Sequence, residues 1–350
     1  MSVTKISITE FISNAANGLL LDVRSPTEYN QAHIPEALTL PLFTDEERKI
    51  IGTSYKRESR EKAIKIGLDC FGKNMVKMVE QVEALLKEKK STSKVLFIHC
   101  WRGGMRSAAM AWLFDLYGFK VYVLSGGYKA YRNYVLDQFT KPYTFTVLGG
   151  YTGSDKTGLL HALQKQNENT IDLEGLALHK GSAFGNLQNQ QQPTQEMFEN
   201  ILATKLFQLN ADEHFWIEDE NQRIGDVNIP IEFFKTMRQQ HMLFMDLPFG
   251  VRLDHLLKTY GAFEKDKFIN GIVRIKKRLG GLETKTAINF ILEDDMKNCF
   301  IVLLKYYDKY YLKSSLNRDN AGNIITIIPS DSVDLKINVN KVLNHVRTRK

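Results

Sequence analysis

Cysteine is scarce in this sequence: Cys70, Cys100 and Cys299 are the three cysteines in a chain of 350 residues. Three scattered thiols do not build a disulfide framework, and no pair has the spacing of zinc ligands, so a disulfide-rich scaffold and a zinc domain are excluded. No apolar run is long enough to span a bilayer, and the first residues lack the charged-then-apolar pattern of a signal peptide. We therefore expect a cytoplasmic protein with no membrane partner and no tightly bound cofactor.

The composition is that of an ordinary globular protein, with 43% hydrophobic and 25% charged residues. This is enough apolar material for sizeable cores, and the length suggests two domains. The formal net charge of +7 is compatible with a polyanionic partner such as a nucleic acid.

Strand-like and helix-like segments alternate along the chain, and the alternation restarts after Lys141-Pro142. The pattern predicts the α/β class with parallel sheets, in two domains covering residues 1–140 and 141–350. The second domain should be mostly helical over residues 251–309. Within the first domain we predict an amphipathic helix over residues 73–90.

Cys100 directly follows the predicted buried strand Val95–His99 and opens a glycine-rich turn before a helix predicted to start near Ser107. Ligands of open α/β sheets lie at the carboxyl ends of strands. Backbone N–H groups, the helix N-terminus and the charges of Arg102 and Arg106 would all favour a thiolate. We predict that Cys100, Arg102 and Arg106 are catalytic, although an inert, packed cysteine is the alternative. The predicted anion cradle consists of Gly103, Gly104, Met105 and Ser107.

A second pattern, over residues 150–157, resembles the phosphate-binding loop G-x-x-x-x-G-K-[ST], and it lies between a predicted strand and helix. Asp155 replaces the second glycine, which places a carboxylate near the phosphate and requires a Cβ where φ is expected to be positive. We predict diphosphate binding without ATP hydrolysis, with a turn that binds no nucleotide as the alternative. The predicted binding residues are Gly150, Thr152, Gly153, Ser154, Lys156 and Thr157.

Further polar residues are candidates for the second site. Glu218 and Asp219 follow a buried strand, and Arg223 and His179 are additional candidates, although a surface ion-pair cluster is the alternative. Thr157 and Asp219 would hold Mg²⁺ if it binds.

A run of basic residues between positions 274 and 278 spreads around a predicted helix. It would contact nucleic-acid phosphates, or it is simply a solvated helix face. The candidate nucleic-acid-binding residues are Arg274, Lys276, Lys277 and Arg278.

Residues 21–29 and 32–37 resemble the N-terminal hallmark of rhodanese domains, and the Cys100 loop resembles their active-site loop. The resemblance implies that Asp22, Arg24 and His33 are structural. The spacing from Cys100 to Arg106 is one residue longer than in common sulfurtransferases, as in phosphatases of the cell-cycle type in the same superfamily.

A rhodanese domain followed by a P-loop domain resembles the bacterial tRNA 2-selenouridine synthase family. Residues 124–132, 172–185, 192–199, 218–225, 278–281 and 306–310 extend the resemblance over nearly the whole chain. It implies transfer of a geranyl group from geranyl diphosphate to the sulfur of wobble 2-thiouridine. Selenium from selenophosphate would then replace the geranylated sulfur, with Cys100 carrying a perselenide or engaging selenophosphate.

The same resemblance implies two partners, the anticodon region of a tRNA that contains 2-thiouridine and an enzyme that produces selenophosphate. The longer loop around Cys100 would give a wider anion cradle, which suits selenophosphate. Phe184, Met197 and Phe198 would line a prenyl channel or belong to an ordinary core. Three alternative hypotheses remain: a sulfurtransferase fused to a nucleotide-binding domain, a cysteine phosphatase, and a non-enzymatic tRNA-binding protein.

Overall fold

The structure is a computed structural model, and it describes residues 3–179, 191–209, 213–260, 264–316 and 324–347. The chain forms two compact units, Met1–Gln138 with Glu199–Thr204, and Phe139–Phe198 with Lys205–Lys350. The predicted boundary, after residue 140, lies two residues beyond Gln138, where the long segment of the first unit ends. The return of Glu199–Thr204 to the first unit was not predicted.

The first unit contains a five-stranded sheet in the order β1-β5-β4-β2-β3, and all of its strand pairs are parallel. This arrangement confirms the predicted α/β class for the first unit. Its elements are β1 (Val3–Ile6), α1 (Ile8–Asn14), β2 (Leu19–Asp22), α2 (Pro26–Gln31), β3 (Leu38–Thr39), α3 (Asp45–Arg57), α4 (Arg60–Glu88), β4 (Val95–His99), α5 (Met105–Leu116), β5 (Lys120–Leu124) and α6 (Gly127–Gln138).

Helix α4 is longer than the sequence pattern indicated, because it begins at Arg60 rather than at residue 73. The side chain of Ser59 accepts a hydrogen bond from the Lys62 amide and so caps its first turn. The buried face of α4 packs on the sheet, in a hydrophobic core that includes Leu21 and Ile98. The buried residues of α4 are Ala63, Phe71, Met78, Val79 and Val82.

The second unit contains another five-stranded parallel sheet, in the order β12-β11-β6-β8-β7, and a short antiparallel pair, β9 with β10. The chain in this region runs through β6 (Phe145–Gly150), α7 (Lys156–Gln164), β7 (Asn169–Ile171), α8 (Leu173–Ala177), α9 (Gln195–Gln208), β8 (Phe215–Glu218), β9 (Arg223–Ile224), β10 (Val227–Asn228), α10 (Ile231–Gln239), β11 (Met242–Asp246), α11 (Phe249–Tyr260), α12 (Lys265–Leu279), α13 (Gly281–Leu292), α14 (Met296–Leu316), β12 (Ile325–Pro329) and α15 (Leu335–Arg347).

Helices α11 to α14 form the mostly helical region that the sequence predicted. They enclose an apolar cluster of their own, which we call the helical core and which includes Phe268, Ile272, Phe300 and Leu304. In the described parts of the chain, no helix combines the length and the apolar composition needed to cross a bilayer.

Candidate functional sites

The Cys100 loop begins where β4 ends, as predicted, but the following helix α5 starts at Met105 instead of near Ser107. Arg106 and Ser107 therefore lie in its first turn. Gly103 has φ +62°, and a Cβ at this position would lie 2.6 Å from the Leu124 carbonyl oxygen. The tight turn thus requires glycine at position 103.

The Cys100 thiol is 3% exposed, and its Sγ lies 3.3 Å from the Ser107 hydroxyl. Burial acts to raise the pKa of Cys100. The hydrogen bond with Ser107, the charge of Arg106 and the backbone amides of Ser107 and Arg102 outweigh burial and lower the pKa below its ordinary value. The site therefore favours a thiolate, as a nucleophilic cysteine requires.

The two arginines of the loop differ in their surroundings. Arg106 forms an ion pair with Glu28, in which Nη1 lies 2.6 Å from Oε2, while Arg102 is exposed. The Arg106 guanidinium consequently has a carboxylate partner already, and Arg102 is the arginine with an exposed side chain for an incoming anion. The catalytic role of both arginines stays a prediction.

Gly126 and Gly127, which were not among the predicted site residues, begin a segment that contacts the Cys100 loop. The Tyr128 amide donates to the Cys100 carbonyl at 2.8 Å, and the Lys129 amide donates to the Trp101 carbonyl at 3.0 Å. A Cβ on Gly127 would lie 2.3 Å from the same Cys100 carbonyl oxygen. The N-terminus of α6 thus stabilises the loop, and the Gly126-Gly127 pair that follows β5 was the available sequence signal.

Three polar side chains of the first unit, Asp22, Arg24 and His33, have defined partners. Asp22 and Arg24 are fully buried and form an ion pair at 2.6 Å, and the Arg24 guanidinium lies 3.7 Å above the Tyr128 ring. His33 stacks on Tyr29 with a centroid distance of 3.9 Å. These contacts agree with the structural roles that the rhodanese resemblance implies.

In the second unit, the predicted phosphate-binding loop connects β6 to α7, as expected for a P-loop. Gly153 has φ +84°, and Lys156 Nζ donates to the Gly150 carbonyl at 3.1 Å. Ser154 Oγ is buried and, within the described residues, has no hydrogen-bond partner. A buried hydroxyl without a partner is costly, so the loop is prepared to receive a polar ligand.

Asp155 adopts the left-handed conformation, φ +58° and ψ 45°, which explains why the motif ordinarily has glycine there. Its carboxylate accepts a hydrogen bond from the Gly158 amide at 3.2 Å and so caps α7. This amide belongs to the helix N-terminus, where P-loops bind phosphate. The carboxylate therefore places negative charge at the position that an incoming diphosphate would approach.

We expect Asp155→Gly to bind inorganic diphosphate on the order of ten-fold more tightly, because the change removes a like charge. Isothermal titration calorimetry at low salt measures the dissociation constant. Asp155→Asn is the matched control, since it keeps the capping oxygen and tolerates the left-handed conformation. Both variants should gain affinity, and unchanged affinity in both would contradict a repulsive role for the carboxylate.

A cluster of carboxyl groups faces the P-loop threonine. The Thr157 hydroxyl lies 3.0 Å from both Glu174 and Glu218. Burial, together with the charges of Glu174 and Glu220, raises the pKa of Glu218 well above its ordinary value. Burial and the Glu174 charge likewise raise the pKa of Glu220 to about 8.

Glu174 and Glu220 were not predicted as site residues. Glu174 lies just after β7 and Glu220 just after β8, so their position at the carboxyl end of the sheet was the signal. Asp219, which was predicted as a metal ligand, accepts a hydrogen bond from the Tyr311 hydroxyl at 2.6 Å, and its role as a ligand stays a prediction. Over the described ranges, no three His, Cys, Asp or Glu side chains are grouped to hold a metal ion.

Most of the remaining second-unit candidates lie around one large cavity of about 1230 Å³. His179 and Arg223 line it, and Arg223 also lies 3.6 Å from the exposed Asp226 carboxylate. All four basic residues of the run are exposed, and Arg274 and Arg278 also line the cavity, whereas Lys276 and Lys277 do not. The role of the run in binding a nucleic acid stays a prediction.

Two of the three predicted prenyl-channel residues do not border this cavity. Phe198 is fully buried, and neither it nor Met197 lines the cavity. Phe184 lies outside the described residues. The cavity instead contains P-loop residues, the carboxylate cluster and apolar residues of the helical core.

Comparison with known proteins gives two family matches, which together cover most of the chain. Residues 7–134 match the rhodanese-like domain, and residues 143–327 match the AAA domain of tRNA 2-selenouridine synthase. The chain belongs to the tRNA 2-selenouridine synthase family. The matched ranges contain the Cys100 loop and the P-loop respectively, so both candidate sites lie in family domains.

Individual relatives agree with this assignment. A protein of Shewanella sediminis named tRNA 2-selenouridine synthase is 36% identical over 327 residues, which are 83% of this chain and 86% of that protein. One of Hydrogenovibrio crunogenus with the same name is 34% identical over 344 residues, 87% of this chain and 92% of that protein. One of Nitrosomonas europaea is 36% identical over 256 residues, 69% of this chain and 63% of that protein.

Proposed function

We propose that this protein converts wobble 2-thiouridine in tRNA to 2-selenouridine in two steps. In the first step, the 2-thio sulfur attacks C1 of geranyl diphosphate, diphosphate leaves with the bonding electrons, and the uracil N3 proton is lost. In the second step, selenium from selenophosphate forms a bond to C2 and geranyl thiol leaves. Water then releases phosphate from selenium.

The observation that carries the proposal is the presence of both sites on a chain that matches its relatives over most of its length. We assign diphosphate departure to the P-loop cavity, where Lys156 and the loop amides would stabilise the leaving charge. We assign selenium delivery to the Cys100 loop, because exposed Arg102 and the loop amides suit an anionic chalcogen donor and the lowered thiol pKa suits a nucleophile.

The donors near the P-loop fit Mg²⁺, which prefers carboxylate and hydroxyl oxygens and usually binds through one or two carboxylates plus phosphates. Thr157, Glu174 and Glu218 would hold it, since their oxygen atoms converge at 3.0 Å. When bound, the ion would neutralise diphosphate charge. The chain itself orients the diphosphate through the amides of the loop.

The proposal is tested with full-length protein, tRNA containing 2-thiouridine, geranyl diphosphate and selenophosphate. After nuclease digestion, mass spectrometry of the nucleosides should show geranylthiouridine when selenophosphate is omitted and selenouridine when it is added. The control tRNA contains uridine in place of 2-thiouridine and should give neither product. Absence of both products from folded protein and thiolated tRNA would overturn the proposal.

A further inference from the structure

The second-unit cavity has two chemically different halves. One half consists of P-loop residues together with Glu174 and Glu220 of the carboxylate cluster. The other half is apolar, and its residues come from α11, α12 and α14. These apolar residues are 0–8% exposed and belong to the helical core: Leu256, Phe268, Phe300, Leu303 and Leu304.

The two halves are in direct contact along α11. A Cβ on Gly153 of the P-loop would lie 3.1 Å from Leu256 Cγ, so the loop packs against the apolar lining. Arg252 holds this arrangement, because it donates to the Thr152 carbonyl at 3.1 Å and forms an ion pair with Asp308 of α14 at 2.8 Å. An anionic group bound by the P-loop would therefore have apolar side chains directly beside it.

We infer that the apolar half binds the hydrocarbon tail of the diphosphate substrate and that its innermost residues set the tail length accepted. This inference rests on the proposed function. Phe268 and Leu304 border the cavity and are fully buried, so we assign them as the specificity-determining residues that limit the tail. Burial of apolar surface favours each added carbon until the tail meets these side chains.

The cavity is somewhat larger than the usual pocket for one small ligand. Pockets for one small ligand usually measure about 300–1000 Å³, and this cavity has about 1230 Å³. Prenyl transfer requires the acceptor sulfur to lie close to C1 of the donor, so both reactants must share one space. Arg274 and Tyr310 line the same cavity and provide polar surface for the acceptor.

Binding measurements test the inference without any catalytic turnover. Titration calorimetry of the full-length protein compares inorganic diphosphate with dimethylallyl, geranyl and farnesyl diphosphates. Geranyl diphosphate should bind at least on the order of a hundred-fold more tightly than inorganic diphosphate, because its tail is buried. Equal affinities for the two compounds would overturn the inference.

Two substitutions should shift the length preference in opposite directions. Phe268→Leu removes part of an aromatic ring, so the affinity for farnesyl relative to geranyl diphosphate should rise about ten-fold. Leu304→Phe fills space, so the affinity for dimethylallyl relative to geranyl diphosphate should rise about ten-fold. Ile272→Val is the matched control, because Ile272 is fully buried in the helical core but does not line the cavity.

Unchanged affinity ratios in Phe268→Leu would contradict the inference even if Leu304→Phe fails to fold. The inference and the proposed function can fail separately. Tail-dependent binding without any modified nucleoside would overturn the proposed function alone. Modified nucleosides together with unshifted ratios would overturn the inference alone.

Discussion

A Cys100→Ala variant is expected to lose selenium incorporation by at least about a thousand-fold while it keeps geranylation. The thiol lies in the first unit, in a loop whose environment lowers its pKa, and the P-loop cavity consists of residues of the second unit. Separate sites should therefore lose their activities separately. Nucleoside mass spectrometry should show geranylthiouridine accumulating in the presence of selenophosphate.

Cys70→Ala is the matched control, because Cys70 is a partly buried thiol on α4 of the same unit. Burial and the charge of Glu47 raise the pKa of Cys70, so this thiol is a poor nucleophile. Its replacement should leave both products at wild-type amounts. Selenouridine formation by Cys100→Ala at the wild-type rate would remove Cys100 from the mechanism, and loss of geranylation as well would contradict separate sites.

Arg252→Met should destabilise the second unit by about 3–5 kcal/mol, because it leaves a partly buried carboxylate without its partner. Arg252 is 3% exposed and donates to both oxygens of Asp308 at 2.8 and 2.9 Å. It also donates to the carbonyls of Leu247 and Thr152. The substitution therefore removes the polar contacts that join the P-loop, α11 and α14.

Urea denaturation followed by the fluorescence of Trp216 measures this loss. Of the three tryptophans, Trp216 is the one in the second unit, so Trp101→Phe and Trp112→Phe in the background isolate its signal. Arg223→Met is the matched control, because its ion pair is exposed, and the change should cost less than about 0.5 kcal/mol. A loss below about 1 kcal/mol in Arg252→Met would contradict this interpretation.

A double variant separates the effect of the lost ion pair on stability from the effect of lost packing. Combining Arg252→Met with Asp308→Leu removes both charges, and apolar replacements of an ion pair are often neutral or stabilising. The double variant should recover part of the stability lost in Arg252→Met. No recovery would indicate that the contacts with Thr152 and Leu247 dominate.

Local patterns predicted several elements at their observed bounds, including β4 (Val95–His99) and α7 (Lys156–Gln164). The start of α4 was missed because Gly67, Gly72 and many charged residues obscure its apolar period. The helix forms there because Ser59 caps it and because Ala63 and Phe71 pack on the core. Tertiary burial thus overrides a weak local pattern.

The reactive residues of the first site could be identified from sequence, since Cys100 and its glycines lie within one loop. The partner of Arg106 could not, because Glu28 is 78 positions away in the chain. The second site has the same limitation. The P-loop itself could be identified from the sequence. Glu174 and Arg252 contact it from other elements, and these contacts depend on how those elements pack.

The first unit is discontinuous in sequence, and this limits how the protein can be divided into fragments. Asn200, which is fully buried, donates to the His33 carbonyl and to the Tyr128 hydroxyl, both at 2.8 Å. A fragment cut after residue 138 would lack Asn200 and its hydrogen bonds to these two acceptors, beside the residues that support the Cys100 loop. Expression of the rhodanese part alone therefore calls for a chimera in which the 199–204 segment is grafted back, rather than a simple truncation.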